Sequence, residues 1–193
     1  MAKRVVIIGG GAAGPKTAAK LRREDPDAVI EMYTEEQVIS YSACGLPYYI
    51  EGIISDINEL LVRTPEEFEK HGVRVFLGQK AIKINPDKQT VVFQKVGETE
   101  LSDVYFDILV IATGARPFIP KIENISDFKN VYTLRKLSDG VAIKKAAQEH
   151  KNVTIVGFGY IGIEILEAFI HNGLHVNIIN PHKYLMGAFD DDM

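Results

Sequence analysis

Val5-Val6-Ile7-Ile8-Gly9-Gly10-Gly11-Ala12-Ala13-Gly14 is the stretch that decides how this chain folds. Four β-branched residues closed by glycines form the pattern of a parallel strand buried on both faces. The glycines fall into the spacing G-x-G-x-x-G, and an alanine-rich helical pattern opens on them, from about Ala12 to Glu24. Gly9 is placed for the tight turn out of the strand and Gly11 for close approach of the backbone to a pyrophosphate. Gly14 is placed for close packing of helix on strand, and the helix N-terminus turns its positive dipole end towards the same anion. A turn at Asp25-Pro26-Asp27 and a second strand around residues 28–33 complete a β-α-β unit.

The same unit recurs at the other end of the chain. A strand at 153–156 runs into Gly157-Phe158-Gly159-Tyr160-Ile161-Gly162. A helix to about Asn172, a glycine stop at Gly173 and a strand at 175–179 follow. Two glycine loops, each between a strand and a helix, predict two dinucleotide sites, most simply FAD and NADH or NADPH. After the first loop, Thr34 and Glu35 end the second strand, and Glu35 is the candidate carboxylate for a ribose, one place off the usual spacing. After the second loop the matching position is Asn180, with His182 and Lys183 close by. Without a carboxylate there to repel a 2′-phosphate, the choice between NADH and NADPH stays open.

Between the two units, Thr64-Pro65-Glu66-Glu67 is a capping box with proline at the first helical position, starting a short helix that ends near Gly72. Residues 73–77 read as a strand. Residues 81–106 alternate between apolar and polar, with turns at 85–87 and 96–98, and read as an antiparallel meander inserted into the sheet. Residues 107–112 form a further apolar strand ending at Thr113-Gly114, and Ser138 is the expected cap of a helix running to about His150. The fold class is therefore α/β. A Rossmann-like FAD-binding domain with a β-meander insertion spans 1–118, and the start of a second Rossmann-like, NAD(P)-binding domain spans 119–193.

Composition narrows the function. With 46% hydrophobic residues the chain can build a packed core, and a net charge of −4 argues against a nucleic-acid or anionic-membrane binder. No apolar run approaches the roughly 18 residues of a transmembrane helix. One cysteine cannot close an internal disulfide, which fits a reducing, cytoplasmic setting. No metal site is expected. His171 and His175 are four apart, but Gly173 ends the helix between them, and Asp190-Asp191-Asp192 reads as a solvated turn.

That cysteine lies in Ser40-Tyr41-Ser42-Ala43-Cys44-Gly45-Leu46-Pro47. Pro47 suits a first helical turn, so Cys44 is expected at or just before a helix N-terminus, where the dipole favours the reactive thiolate. Taken with Gly9–Gly14, residues 112–117 and residues 157–164, this segment resembles the single-cysteine branch of the flavin disulfide reductases. That branch includes coenzyme A-disulfide reductases, NADH oxidases and NADH peroxidases. The resemblance implies electron flow from NAD(P)H to FAD and on to Cys44, which cycles as a mixed disulfide or a sulfenic acid. It also implies that Ala112, Thr113 and Gly114 approach the flavin, and that Tyr160 and Glu164 lie near the nicotinamide.

Within the branch, oxidases and peroxidases often carry a histidine in the first glycine loop, and here that position is Ala12. Lys16, Lys20 and Arg23 share one helix face and, by the resemblance, would lead coenzyme A phosphates towards Cys44. His71 and Lys70 could reach a substrate phosphate, although a surface loop is the default reading there. Ser40 matches the family's substrate-side serine, whereas Ala43 replaces an asparagine often found before the cysteine. A disulfide or persulfide reductase is therefore favoured over an oxidase or peroxidase. Two other readings remain: a reductase of a small redox protein, with Cys44 incidental, and a nucleotide-binding fragment without turnover. Family members continue with the rest of the nicotinamide domain and a dimerisation domain, so the chain is expected to be a fragment of a homodimeric enzyme.

Overall fold

A computed structural model describes residues 2–181 and divides them into two compact units. The first comprises the chain up to Ser42 together with Leu61–Ala115, and the second comprises Ala43–Leu60 together with the residues from Arg116 onward.

In the first unit, strands β1 (Arg4–Ile8), β2 (Val29–Tyr33), β3 (Val73–Phe76) and β7 (Ile108–Ile111) form a parallel sheet in the order β3-β2-β1-β7. Helix α1 (Ala13–Glu24) crosses from β1 to β2, and α3 (Pro65–Lys70) precedes β3. Val5, Ile7, Ile30, Met32 and Val73 face Ala18 and Phe68 on one side of the sheet. Val6, Ile8 and Tyr33 pack with Val91, Phe93 and Phe106 on the other. The unbroken apolar run of β1 is thus explained: both of its faces are covered. Ala18 is fully buried, and so small a side chain lets α1 lie close against the strands.

The meander β4 (Gln79–Asn85), β5 (Thr90–Lys95) and β6 (Leu101–Tyr105) differs from the sequence expectation. It is not inserted into the parallel sheet but forms its own antiparallel three-stranded sheet, with a register shift between Ala81 and Lys83. The free edge of β1 pairs with β7, so the meander buries its apolar face by packing Val91 and Phe93 onto the parallel sheet. Tyr33 is stacked between Phe76 and Phe93, with ring centroids 4.5 and 4.2 Å apart.

Beside Tyr33 lies Glu31, only 1% exposed. Its carboxylate pairs with Arg4, at 2.8 Å, and with Arg74, its register partner on β3, and it accepts the Tyr33 hydroxyl at 3.3 Å. Burial, reinforced by the Glu31 charge, pushes the Tyr33 hydroxyl up to about 12.

In the second unit, β8 (Asn152–Val156) and β9 (His175–Ile179) pair in parallel, connected by α5 (Tyr160–His171). Helices α4 (Leu137–Glu149) and α2 (Leu46–Glu51) pack with α5 around Ile50, Ile143, Ile165, Ala168 and Phe169. Gly140 has no Cβ because one would stand 2.7 Å from Leu46 Cδ2. The start of α4 corrects an expectation. Ser138 lies inside the helix, Lys136 is the cap position, and the Asp139 carboxylate accepts the Arg135 and Lys136 amides at 2.8 and 2.9 Å. An aspartate in the first turn can reach back to these amides, whereas a serine one residue after the helix start is already turned into it.

No helix among the described residues is long and apolar enough to cross a membrane.

Candidate functional site

The two glycine loops share a construction. Gly9 leaves β1 with φ +119°, and Gly157 leaves β8 with φ +90°. The Gly9 amide donates to Tyr33 O at the end of β2, and the Gly157 amide to Ile179 O at the end of β9, both at 2.8 Å. The third glycine of each motif sits against the carbonyl of the first. A Cβ on Gly14 would fall on Gly9 O, and one on Gly162 would stand 2.8 Å from Gly157 O. The middle glycines, Gly11 and Gly159, face space with nothing within 4 Å of where a Cβ would be. Neither α1 nor α5 carries an acidic residue in its first turn. Open space over a glycine, at a helix N-terminus free of carboxylates, fits the phosphates of a dinucleotide.

Around the first loop the chain brings in what the sequence singled out. Ala112 donates its amide to Ile8 O at 2.8 Å, and its carbonyl fills the space beside Gly9, where any side chain would collide. Thr113 and Gly114, with φ +70°, continue from there. At the end of β2, Thr34 is buried and its hydroxyl accepts the Glu36 amide at 3.3 Å. Of the two acids that follow, Glu36 accepts the Tyr41 hydroxyl at 3.0 Å, while Glu35 is exposed. Ala12, the N-cap of α1, is exposed and offers no side-chain hydrogen bond.

Cys44 lies in the second unit and is exposed. It occupies a single 3-10 turn, Ala43–Gly45, running directly into α2 with Pro47 in the first helical turn. Gly45 makes that entry feasible, since a Cβ there would collide with Leu60. Tyr160 and Glu164 are exposed on α5. Asn180 is partly buried, and His182, Lys183 and Asp190–Asp192 lie outside the described residues.

On the first unit Lys16, Lys20 and Arg23 are exposed along α1, with Lys20 paired to Glu24. Arg23, Lys70, His71 and Arg63 line one groove floored by Ala19 and Phe68. Sequence reading supplied Arg23, Lys70 and His71 but missed Arg63, which stands 5.9 Å from the Phe68 ring. The one available signal was its place just ahead of the Thr64 capping box that starts α3. His171 pairs with Glu51 at 3.5 Å rather than with His175, which has passed into β9 beyond Gly173.

The sequence is similar to curated relatives along nearly its whole length. It is 35% identical to an NADH oxidase of Methanocaldococcus jannaschii, covering 98% of this chain and 43% of that protein. It is also 35% identical to the NAD(P)H coenzyme A polysulfide/persulfide reductase of Pyrococcus horikoshii, covering 100% and 43%. Among solved structures, the reduced CoADR-RHD of Bacillus anthracis superposes with a TM-score of 0.94 at 31% identity, over 98% of this chain and 35% of that one. The chain thus spans less than half the length of the relatives it matches. The sequence model of one family matches residues 3–193, taking in both glycine loops and the Cys44 segment: the chain belongs to the pyridine nucleotide-disulphide oxidoreductases.

Proposed function

We propose that this chain forms the nucleotide-binding and thiol-bearing part of an FAD-dependent NAD(P)H oxidoreductase that reduces a disulfide or persulfide through Cys44. The observation that carries the reading is the matched pair of glycine loops, each with an open middle glycine, in a chain that also presents an exposed cysteine at a helix start. The division into an FAD-binding segment, 1–118, and the beginning of an NAD(P)-binding domain, 119–193, is part of the proposal. Gly9, Gly11, Ala12, Gly14, Thr34, Glu35 and Ala112–Gly114 would hold FAD, and Gly157, Gly159, Tyr160, Gly162 and Glu164 the nicotinamide nucleotide. Bound there, the flavin supplies a two-electron relay between nicotinamide and thiol.

The chain's own chemistry is that of Cys44. Its thiolate attacks one sulfur of the substrate disulfide and releases the other as a thiolate, leaving a mixed disulfide on Cys44. Two electrons and a proton then return Cys44 to its thiolate and free the second thiol. A coenzyme A disulfide or persulfide is the proposed substrate, because Arg22, Arg23, Arg63 and Lys70, with His71, line one groove and outnumber its one carboxylate, Glu67, so that phosphates would be neutralised there. Lys16 and Lys20 extend that basic face along α1, and Ser40 and Ala43 flank the thiol in sequence. The relatives named NADH oxidase favour a second reading, a Cys44 sulfenic acid turning over oxygen or peroxide, but Ala12 offers no acid, base or hydrogen bond to peroxide. A homodimer is proposed for the full-length protein.

The test is the visible absorption spectrum before and after anaerobic addition of NADH, then NADPH. Flavin bands that bleach support the reading, and a challenge with coenzyme A disulfide or oxygen then separates reductase from oxidase. A colourless protein that takes up no FAD on reconstitution would overturn it in favour of a nucleotide-binding fragment without turnover.

A further inference from the structure

Arg22 lines the basic groove of the first unit, but its side chain is already engaged. Its Nη1 donates to Pro26 O at 2.5 Å, and its Nη2 donates to Ala28 O at 2.6 Å and to Gly72 O at 2.8 Å. Its Nε is buried and meets no acceptor among the described residues. The guanidinium therefore has little left to donate to a ligand, although its charge stays in the groove. Three backbone carbonyls around one guanidinium form a grip, because the planar fork fixes their positions relative to α1.

The carbonyls come from two separate turns. Pro26 and Ala28 lie between α1 and β2, and Gly72, with φ +73°, lies between α3 and β3. A Cβ on Gly72 would stand 3.6 Å from both Cζ and Nε of Arg22, so the second turn rests directly against the guanidinium. Arg23 follows Arg22 in the last turn of α1, and Lys70 and His71 run straight into Gly72. The grip thus joins the wall of the groove that carries Arg23 to the wall that carries Lys70 and His71. Like charges on the two walls repel each other. The one carboxylate of the groove, Glu67, already accepts the Thr64 amide at 3.0 Å.

We propose that Arg22 is a positioning residue for substrate phosphates. Its grip on Pro26, Ala28 and Gly72 holds the two basic walls at one spacing, so that Arg23 on one and Lys70 and His71 on the other meet the same phosphates. The grip stands on backbone contacts alone, and its use for phosphates rests on the substrate reading above.

The experiment is calorimetric titration of the chain with inorganic pyrophosphate, well below the melting temperature of each variant, so that lost stability by itself does not move the result. Arg23→Met removes a wall charge, and the weakening it causes identifies binding in the groove. Arg22→Lys keeps the charge of the groove but cannot hold three carbonyls in one fork. Arg22→Lys is expected to bind pyrophosphate about tenfold more weakly than the parent, the scale of one charge-assisted hydrogen bond lost.

An Arg22→Lys protein that melts early yet binds pyrophosphate like the parent would make the grip purely structural and overturn the positioning role. Pyrophosphate that binds the parent and Arg23→Met alike shows instead that the phosphate reading has failed, and the positioning role falls with it. If Arg22→Lys does not fold, proton exchange at the Arg22 Nε–H of the parent, followed by heteronuclear NMR, decides. Exchange much slower than at the exposed Arg23 and Arg116, and slowed further by pyrophosphate, supports the positioning role. Exchange as fast as theirs, or unmoved by pyrophosphate, overturns it.

Discussion

Gly11 and Gly14 belong to one motif, yet the structure predicts opposite consequences for the same substitution. In Gly14→Ala the new Cβ would fall on Gly9 O and stand 3.4 Å from Ile7 Cγ2. The obstacle is backbone, which cannot rotate away, so the β1–α1 join must open. Overpacking of this kind costs about 3 kcal/mol, and the better helix propensity of alanine returns roughly 1 kcal/mol. A net loss of about 2 kcal/mol lowers the melting temperature of a chain this size by roughly 4–8 °C. Gly11→Ala meets nothing within 4 Å and Gly11 has no positive φ, so the fold should be unchanged or stabilised by up to about 1 kcal/mol. What the methyl does occupy is the open space over the loop, so flavin retention should fall.

The assay pairs thermal melting by circular dichroism with the ratio of flavin to protein absorbance after reconstitution. Gly14→Ala should melt early, and Gly11→Ala should melt with the parent but come through purification poor in flavin. A Gly11→Ala protein that melts 5 °C early, by the scale just worked, would show that the open space is not open in solution. One that keeps full flavin would refute the assignment of that space to a phosphate.

Three further outcomes follow from named contacts. Glu31 is buried between two partly exposed arginines, so Glu31→Gln should cost roughly 1–3 kcal/mol, whereas Arg4→Met with Arg74→Met strands a buried carboxylate and should cost about 3–5 kcal/mol in urea unfolding. Equal losses would mean the triad is not buried as described. Tyr33 titrates at about 12 when folded against an ordinary value of 10.0, because burial and then Glu31 disfavour the phenolate. Its contribution is complete below pH 10 and is lost as pH rises towards 12, a fall of roughly 3 kcal/mol that Tyr33→Phe should remove from the alkaline stability profile. Cys44→Ser should keep bound flavin and lose disulfide turnover; unchanged turnover would move the chemistry to a one-step reduction of a small redox protein.

Much of the fold could be read from the sequence because its signals are local. A β-branched run closed by glycines, a capping box at Thr64 and a glycine with φ +74° at position 173 each act within a few residues. Gly14 was legible for the same reason, since the carbonyl it avoids is that of Gly9, whereas Gly9 was legible only as the residue that closes β1, because what it avoids, the Ala112 carbonyl, comes from the far end of its unit. The misread features depend on distant partners. The meander alternates like any half-buried sheet, and nothing local says that Phe93 stacks on Tyr33 rather than hydrogen-bonding in line with β1. Ser138 and Asp139 both carry oxygens that can cap a helix, and the outcome was set by the Asp139 carboxylate, which reaches the Arg135 and Lys136 amides. Arg63 joins the basic groove only because α1 and α3 are set over the same face of the parallel sheet, which brings together side chains some forty positions apart in sequence.

The Cys44 segment shows most clearly why a motif and its support must be read separately. Residues 40–47 announce a thiol at a helix start, but they do not say what holds that helix. Ile50 is buried with Ile143, Ile165 and Phe169, and its carbonyl accepts the Asn172 side-chain amide at 3.1 Å, across 122 positions. Helix α2 has six residues, too few to persist without tertiary packing. The second β-α-β unit therefore has a role beyond its own glycine loop. Its helix α5, with α4 before it, provides the apolar surface that orders α2, and the thiol at the start of α2 depends on that order. A chain cut back to the first glycine loop and its sheet would keep that loop and lose the packing around α2 that orders the Cys44 turn.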